Sequence, residues 1–145
     1  SHVIKKALEH DVDLETSSAF DIDLIISLYR SGDINREITL VHNGYKTERY
    51  LEGIAQLYEM GFTNSIPVLD NTNELDLLLE RIKGNVQIGL RVAIEQEPQS
   101  AYYTSRLGIR PTEVSKFYKE KIARKKRVHV KMLHLFVDTG IRDTL

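Results

Sequence analysis

"VQIGLRVAI" (residues 86–94) puts Val86, Ile88, Leu90, Val92 and Ile94 on one side of a strand and Gln87, Gly89, Arg91 and Ala93 on the other, because successive strand side chains point to opposite faces. An open, doubly wound sheet is covered by helices on both faces, so its strands are apolar throughout. One apolar face and one mixed face fit a (β/α) barrel better, with helices outside and a partly polar lumen. In "VHVKMLHLFV" (128–137), Val130, Met132, His134 and Phe136 share one face, and Lys131, Leu133, Leu135 and Val137 the other. In "VDLETS" (12–17), Asp13, Glu15 and Ser17 oppose Val12 and Leu14.

Outward from these strands the pattern is strand, then helix, repeated. Strands are expected at 12–17, "EITLVHN" (37–43), "SIPVLDN" (65–71), 86–94 and 128–137. Between them, apolar stripes at helical spacing join Phe20, Leu24, Ile25 and Leu28, then Tyr50, Leu51, Ile54, Leu57 and Tyr58. Two more join Leu75, Leu78, Leu79 and Ile82, and Val114, Phe117, Tyr118 and Ile122. Gly32, Gly61 and Gly84 stand just past three of the stripes, where a helix C-terminus favours glycine. This alternation implies a parallel sheet with right-handed crossovers.

A closed barrel takes eight such units in roughly 250 residues, and this chain supplies about five. It opens on Ser1 and His2 within a helical pattern and stops just after a strand. Residues 1–145 are therefore expected to be one segment of a larger barrel domain. The alternative is a self-contained, flavodoxin-like binding or regulatory module. Strand order separates the two, being 2-1-3-4-5 in the module and 1-2-3-4-5 in a barrel sector.

The 145 residues are 41% hydrophobic and 28% charged with a net charge of -1, ordinary for one domain with a core and without the basic excess of a nucleic-acid protein. Runs such as "LIISLY" are far shorter than the ~20 residues of a membrane span. The N-terminus, "SHVIKKALEH", is amphipathic and unlike a secretory signal. The absence of cysteine excludes disulfides and thiolate sites and points towards the cytoplasm. The basic run "KEKIARKKRVHVK" (119–131) reads as the solvated last turn of a helix, where cations suit the dipole.

Ligands of parallel α/β folds meet the C-terminal ends of the strands. Those ends carry Glu15, Thr16, Ser17 and Ser18; His42 and Asn43; Asp70 and Asn71; Arg91; and Asp138 and Thr139. Ser, Asn and Asp are also ordinary caps and turn formers. Glu15 and Arg91 are more telling, since neither caps well and both lie on mixed faces. His2, His10, His42, His129 and His134 form no His-x3-His pair. His129 and His134, five apart in one strand, should point to opposite faces, so no protein-bound catalytic metal is expected. There is no G-x-S-x-G elbow, glycine-rich phosphate loop or cysteine nucleophile.

In order along the chain, "LETSSAFDIDLI", "VHNGYKTERYLEGIAQL", "SIPVLDNTNELDLL", "VQIGLRVAI", "YYTSRLGI" and "MLHLFVDTG" resemble the pyridoxal-phosphate barrel of the biosynthetic arginine decarboxylases. These belong to the alanine racemase-like, fold type III family, and the likeness is greatest to their shorter, Bacteroidetes-type form. "LETSSAFDID" is similar to the family's L-E-[AG]-x-S-x-x-E, "HNGYK" to its C-N-G-[YF]-K, and "TSRLGI" to its S-[KR]-[FL]-G. The resemblance implies a partial (β/α)8 TIM-type barrel that binds pyridoxal 5'-phosphate, often with a Mg2+ requirement. It implies a cytoplasmic, homo-oligomeric lyase that converts L-arginine to agmatine and CO2 for polyamine and spermidine biosynthesis.

The same resemblance implies roles for single residues. Glu15 matches an acid near the cofactor at the end of the second barrel strand, Ser18 the serine of that turn, and Asp21 the acid opening the next helix. Asn43 matches a turn residue facing the site, Arg91 an arginine close to the cofactor, and Arg106 a basic residue linked with the partner subunit. Most of the family reads L-H-F-H-x-G-S in the last strand, where the second histidine stacks on the pyridine ring and the serine approaches the phosphate. Here those positions are Phe136 and Thr139. A phenyl ring can still stack and a threonine hydroxyl can still donate, but the imidazole acid or base is lost.

The family's Schiff-base lysine stands on a first barrel strand with no counterpart here, and Lys5 and Lys6 match no such position. The phosphate loop, the acid facing the pyridine nitrogen and the C-terminal β domain are likewise unmatched. Without them the electron sink cannot be held. No catalytic residue is therefore assigned, and the segment alone is expected to be inactive. A lysine, ornithine, diaminopimelate or carboxynorspermidine decarboxylase stays open, because the residues that grip the substrate side chain lie mostly elsewhere.

Overall fold

Short apolar runs ended by capping residues set the order of elements. The computed structural model describes residues 2–93 and 107–135. They form α1 (His2–Leu8), β1 (Leu14–Thr16), α2 (Ala19–Arg30), β2 (Leu40–His42), α3 (Glu48–Glu59), β3 (Ser65–Leu69), α4 (Glu74–Arg81), β4 (Val86–Val92), α5 (Pro111–Phe117) and β5 (Val128–Leu135). A π-helical turn, Tyr118–Ile122, continues α5. Ile94, Arg106, Phe136, Val137, Asp138 and Thr139 lie outside the described residues. The strands are parallel neighbours in the order β1-β2-β3-β4-β5. That is the sequential order, not the 2-1-3-4-5 of a flavodoxin-like module. Among the described residues the sheet does not close, and β1 and β5 are its edges.

The sheet is strongly curved. Asn43, just after β2, lies 3.3 Å from Nε2 of His134 on β5. Flat strands ~4.8 Å apart would hold these two positions ~14 Å from each other across three spacings. The convex side carries the helices. Val86, Ile88 and Leu90 are buried there, with Ile22, Ile25, Ile26 and Leu28 of α2 and Tyr50, Leu51, Ile54 and Leu57 of α3. Full burial of each such aliphatic side chain contributes about 1.5–3 kcal/mol, so this layer supplies most of the drive to fold. Gln87 and Arg91 are half-buried on the concave side, as the alternation in 86–94 requires.

Several expectations need correction. The strands are shorter than the apolar runs at their starts, because 12–13 and 37–39 precede the ladder. Phe20 is 73% exposed and leaves its stripe to Ile22 and Ile26; its ring lies under the Arg49 guanidinium, 5.1 Å away. Tyr118, where the π-helical turn begins, is also exposed, and Phe117 and Ile122 hold the core face. Gly32 and Gly61 have the positive φ of helix caps, but Gly84 does not. There, α4 ends on an extended Ile82, and Arg127 caps it by donating to the carbonyls of Leu79, Ile82 and Gly84 at 2.9, 2.6 and 3.0 Å. Part of the basic run 119–131 is thus a structural cap and not solvated surface.

The largest correction concerns β5. Ile88 pairs with Val130, but Gly89 pairs with Met132, which leaves Lys131 as the extra residue of a β-bulge. Val130 therefore packs on the helix-side core, while Met132 lies on the concave side against Gly89 and Val68. Val130 and Met132 do not share a face. By the same slip His129 pairs with Gln87 and His134 with Arg91, so the two histidines share the concave face after all.

Candidate functional site

The concave rim at the strand C-termini is built from alternate residues. Thr16 and His42, at the tips of β1 and β2, turn away from it. Thr16 Oγ1 lies 2.7 Å from His42 Nδ1 and 2.6 Å from the Tyr50 hydroxyl. All three are buried under α3. Burial, with the nearby Lys46 charge, pushes the His42 imidazole down to about 3, so it is a neutral tie between β1, β2 and α3. The residues one step away face the rim. Asn43 Nδ2 donates to Glu15 Oε1 at 3.2 Å and reaches His134 Nε2 at 3.3 Å, joining β1, β2 and β5.

The turn that carries Asn43 depends on Gly44, whose φ is +83°. A Cβ there would stand 3.0 Å from the Ser17 carbonyl oxygen, so only glycine lets the turn after β2 close against the turn after β1. Ser18 caps α2 with its neighbours. One oxygen of Asp21 accepts from the Ser17 and Ser18 N–H groups at 2.8 and 2.9 Å and from the Ser18 hydroxyl at 3.0 Å. These bonds, the Ser17 N–H first, hold the Asp21 carboxyl below its ordinary range. Asn71 similarly accepts from Asn73 and Glu74 N–H groups at the start of α4.

A second group of residues runs from the rim inward. Arg91 Nη1 is 3.5 Å from Asp70 Oδ1, with Asp70 2% exposed. Asp70 N–H donates to Glu74 Oε2 at 2.9 Å, and Lys46 N–H donates to Glu74 Oε1 at 3.3 Å. The Lys46 ammonium, fully buried, donates to the carbonyls of Gly44 at 2.6 Å and Val68 at 2.5 Å and stands 3.8 Å from Glu74. Burial pushes Lys46 down and Glu74 up, and each one's charge opposes the other's shift. Charges are costly to bury unless paired and hydrogen-bonded, and here both conditions are met.

Of the residues singled out from sequence, the structure therefore brings Glu15 and Asn43 to one rim with Arg91, and uses Ser18 as a helix cap. Phe136 and Thr139 lie outside the described residues. Asp70, named from sequence only among the polar strand ends, joins the candidate site, as do His134, Glu74 and Lys46, which had not been assigned to it. Two buried atoms at the rim, Asp70 Oδ2 and His134 Nδ1, have no hydrogen-bond partner among the described residues, which suits a polar ligand or a further part of the protein. Among the described residues no cluster of His, Asp and Glu is arranged to hold a metal ion, and no helix is long and apolar enough to cross a membrane. A cavity of about 660 Å3, lined in part by Tyr58, Gly84, Gln87 and His129, opens at the opposite ends of the strands and shares no residue with the rim.

No family model matches the chain, and no curated protein matches it. Solved structures do match. The crystal structure of a lysine decarboxylase from Selenomonas ruminantium superposes with a TM-score of 0.70 at 14% identity, over 94% of this chain and 32% of the other. The chain thus spans about a third of the length of that protein. The likeness shows the fold, an α/β arrangement around a five-stranded parallel sheet.

Proposed function

We propose that the chain is one sector of a (β/α)8 barrel in a pyridoxal-phosphate-dependent decarboxylase of basic amino acids, with L-arginine as substrate and agmatine and CO2 as products. One observation carries the reading. Asn43 bridges Glu15 and His134 across a curved sheet, so polar tips of well-separated strands converge on one mouth. The fold shared with a lysine decarboxylase supports it, as do the motifs of the first section.

The rim suits the cofactor. His134 Nδ1 and Asp70 Oδ2 are buried and unpartnered among the described residues, and Asn43 and Arg91 offer donors beside them. Glu15, Ser18, Asn43, Arg91, Phe136 and Thr139 would hold it. Arg91 and Asn43 would orient it by hydrogen bonding, Phe136 would cover one ring face, and Thr139 would reach a phosphate oxygen. Bound there, the cofactor supplies an electron sink for the pair left when CO2 departs. The Schiff-base lysine, the phosphate loop, any Mg2+ and the partner of a homo-oligomer belong to the same proposal and to other parts of the protein.

The test is the full-length gene product titrated with pyridoxal phosphate, following the visible absorbance that the cofactor gains when a lysine takes it up. CO2 release is then measured with arginine, lysine, ornithine, diaminopimelate and carboxynorspermidine in parallel. Arginine should be turned over best. Absence of the spectral change would refute the reading, and preference for another of these amino acids would replace the substrate.

A further inference from the structure

We infer that Lys46 is a positioning residue, whose buried ammonium fixes Glu74 and, through it, presents the Asp70 carboxylate to the Arg91 guanidinium at the rim. The inference rests on the placement of Arg91 in the site proposed above.

Lysine is almost never fully buried unless paired, and this one spans two turns. Its ammonium binds the Gly44 carbonyl after β2 and the Val68 carbonyl within β3. Its backbone N–H and that of Asp70 are taken by the two oxygens of one carboxylate, Glu74. The turns after β2 and β3 are thereby locked to each other and to the first residue of α4. Asp70 is held from the other side as well, its carbonyl accepting from Gly108 N–H at 3.0 Å. Its side chain leaves a backbone pinned at both ends, and Oδ1 meets Arg91 Nη1 at 3.5 Å.

A buried ion pair is seldom more stabilising than apolar residues of the same volume. What Lys46 and Glu74 supply that a methionine and a leucine could not is a fixed direction for the Asp70 N–H, and so for its carboxylate. Arg91, 14% exposed at its side chain, is in turn held where a rim ligand would meet it.

The test uses the full-length protein without added cofactor, and reads the rate at which phenylglyoxal modifies Arg91, by peptide mass mapping, with Arg36 as the internal control. Lys46→Met and Asp70→Asn should each speed modification of Arg91 severalfold and leave Arg36 unchanged. The double variant Lys46→Met/Asp70→Asn should be no faster than Asp70→Asn, because Lys46 acts through Asp70. Should Lys46→Met not fold, Glu74→Gln keeps the Lys46 bonds to both carbonyls and should show the same acceleration. A wild-type rate at Arg91 in folded Lys46→Met or Glu74→Gln, or independent effects in the double variant, would overturn the inference. The readout does not pass through catalysis. Faster labelling in a protein that takes up no pyridoxal phosphate would remove the proposed function and leave the positioning of Arg91 intact.

Discussion

Replacing Gly89 by alanine tests how tightly the concave wall is packed at the bulge. A Cβ on Gly89 would stand 2.7 Å from Met132 Cγ, 3.2 Å from its Sδ and 3.0 Å from Val68 Cγ2, where carbon atoms prefer ~3.5–4.0 Å. Val68 is fully buried, and Met132 is held by its register with Gly89. Its Cγ lies near the root of the side chain, so rotation of the thioether end does not clear it. Overpacking of this kind costs about 1–3 kcal/mol. Gly89 has no positive φ, so alanine recovers about 0.4–1 kcal/mol by restricting the unfolded chain. The net expectation for Gly89→Ala is a loss of up to about 2.6 kcal/mol. Met132→Ala alone, at a half-buried position, should cost less than the roughly 2–5 kcal/mol of a fully buried methionine. In the double variant the added methyl has room, so the two losses should fall short of their sum by about 1–2 kcal/mol. Thermal unfolding of the four full-length proteins measures this. Additivity within ~0.5 kcal/mol would show that Met132 does not occupy the space over Gly89.

Three further outcomes follow from the rim and its support. Asn43→Ala removes the link between Glu15 and His134, two long and partly exposed bonds, and should cost about 1 kcal/mol while raising amide exchange in β5; unchanged exchange there would mean that the link does not hold the sheet's curvature. His42 is held neutral, down to about 3, whereas the unfolded chain titrates near ~6.5. Between those values the unfolded state binds the extra proton, so stability falls as pH drops through the window, by up to ~1.4 kcal/mol per pH unit. His42→Gln should flatten that slope between pH 6 and 4 (~2 units) in urea unfolding, and an equal slope in both proteins would contradict the burial argument. Arg91→Ala should lower cofactor occupancy or turnover with the circular dichroism of the wild type, and full activity would take Arg91 out of the site.

The fold was legible wherever one periodicity ruled a segment. Val86, Ile88 and Leu90 against Gln87 and Arg91 told which side of β4 carries helices, and the helix stripes at Tyr50–Leu57 and Leu75–Ile82 needed no tertiary information. Errors arose where a tertiary contact outweighed the local pattern. Phe20 reads as core but finds the Arg49 guanidinium instead. Gly84 reads as a cap, yet the capping is done by Arg127, just before β5 and 43 residues away in sequence. The bulge at Lys131 left only a faint mark, the adjacent apolar pair Met132 and Leu133 that breaks the alternation of "VHVKMLHL". Pairing with β4 identifies Lys131 as the extra residue.

The bulge also explains why His134 was missed. Without it, His134 could not be set beside Arg91 in register, and the rim would be a row of separate strand ends. With it, two hydrogen-bonded lines meet. One runs from Glu15 through Asn43 to His134; the other runs from Lys46 through Glu74 and Asp70 to Arg91. Lys46 was hidden by its type, since a lysine after Asn-Gly-Tyr reads as an exposed turn residue, and Glu74 by its place, since an acid in the first turn of a helix reads as a partner of the dipole. A signal was nevertheless present. Parallel neighbours bring the turns after β2 and β3 together, so a lysine in one and two acids in the other were bound to face each other once the strand order was known. In a sheet of sequential order, charges should be matched between successive strand ends before any is dismissed as a cap.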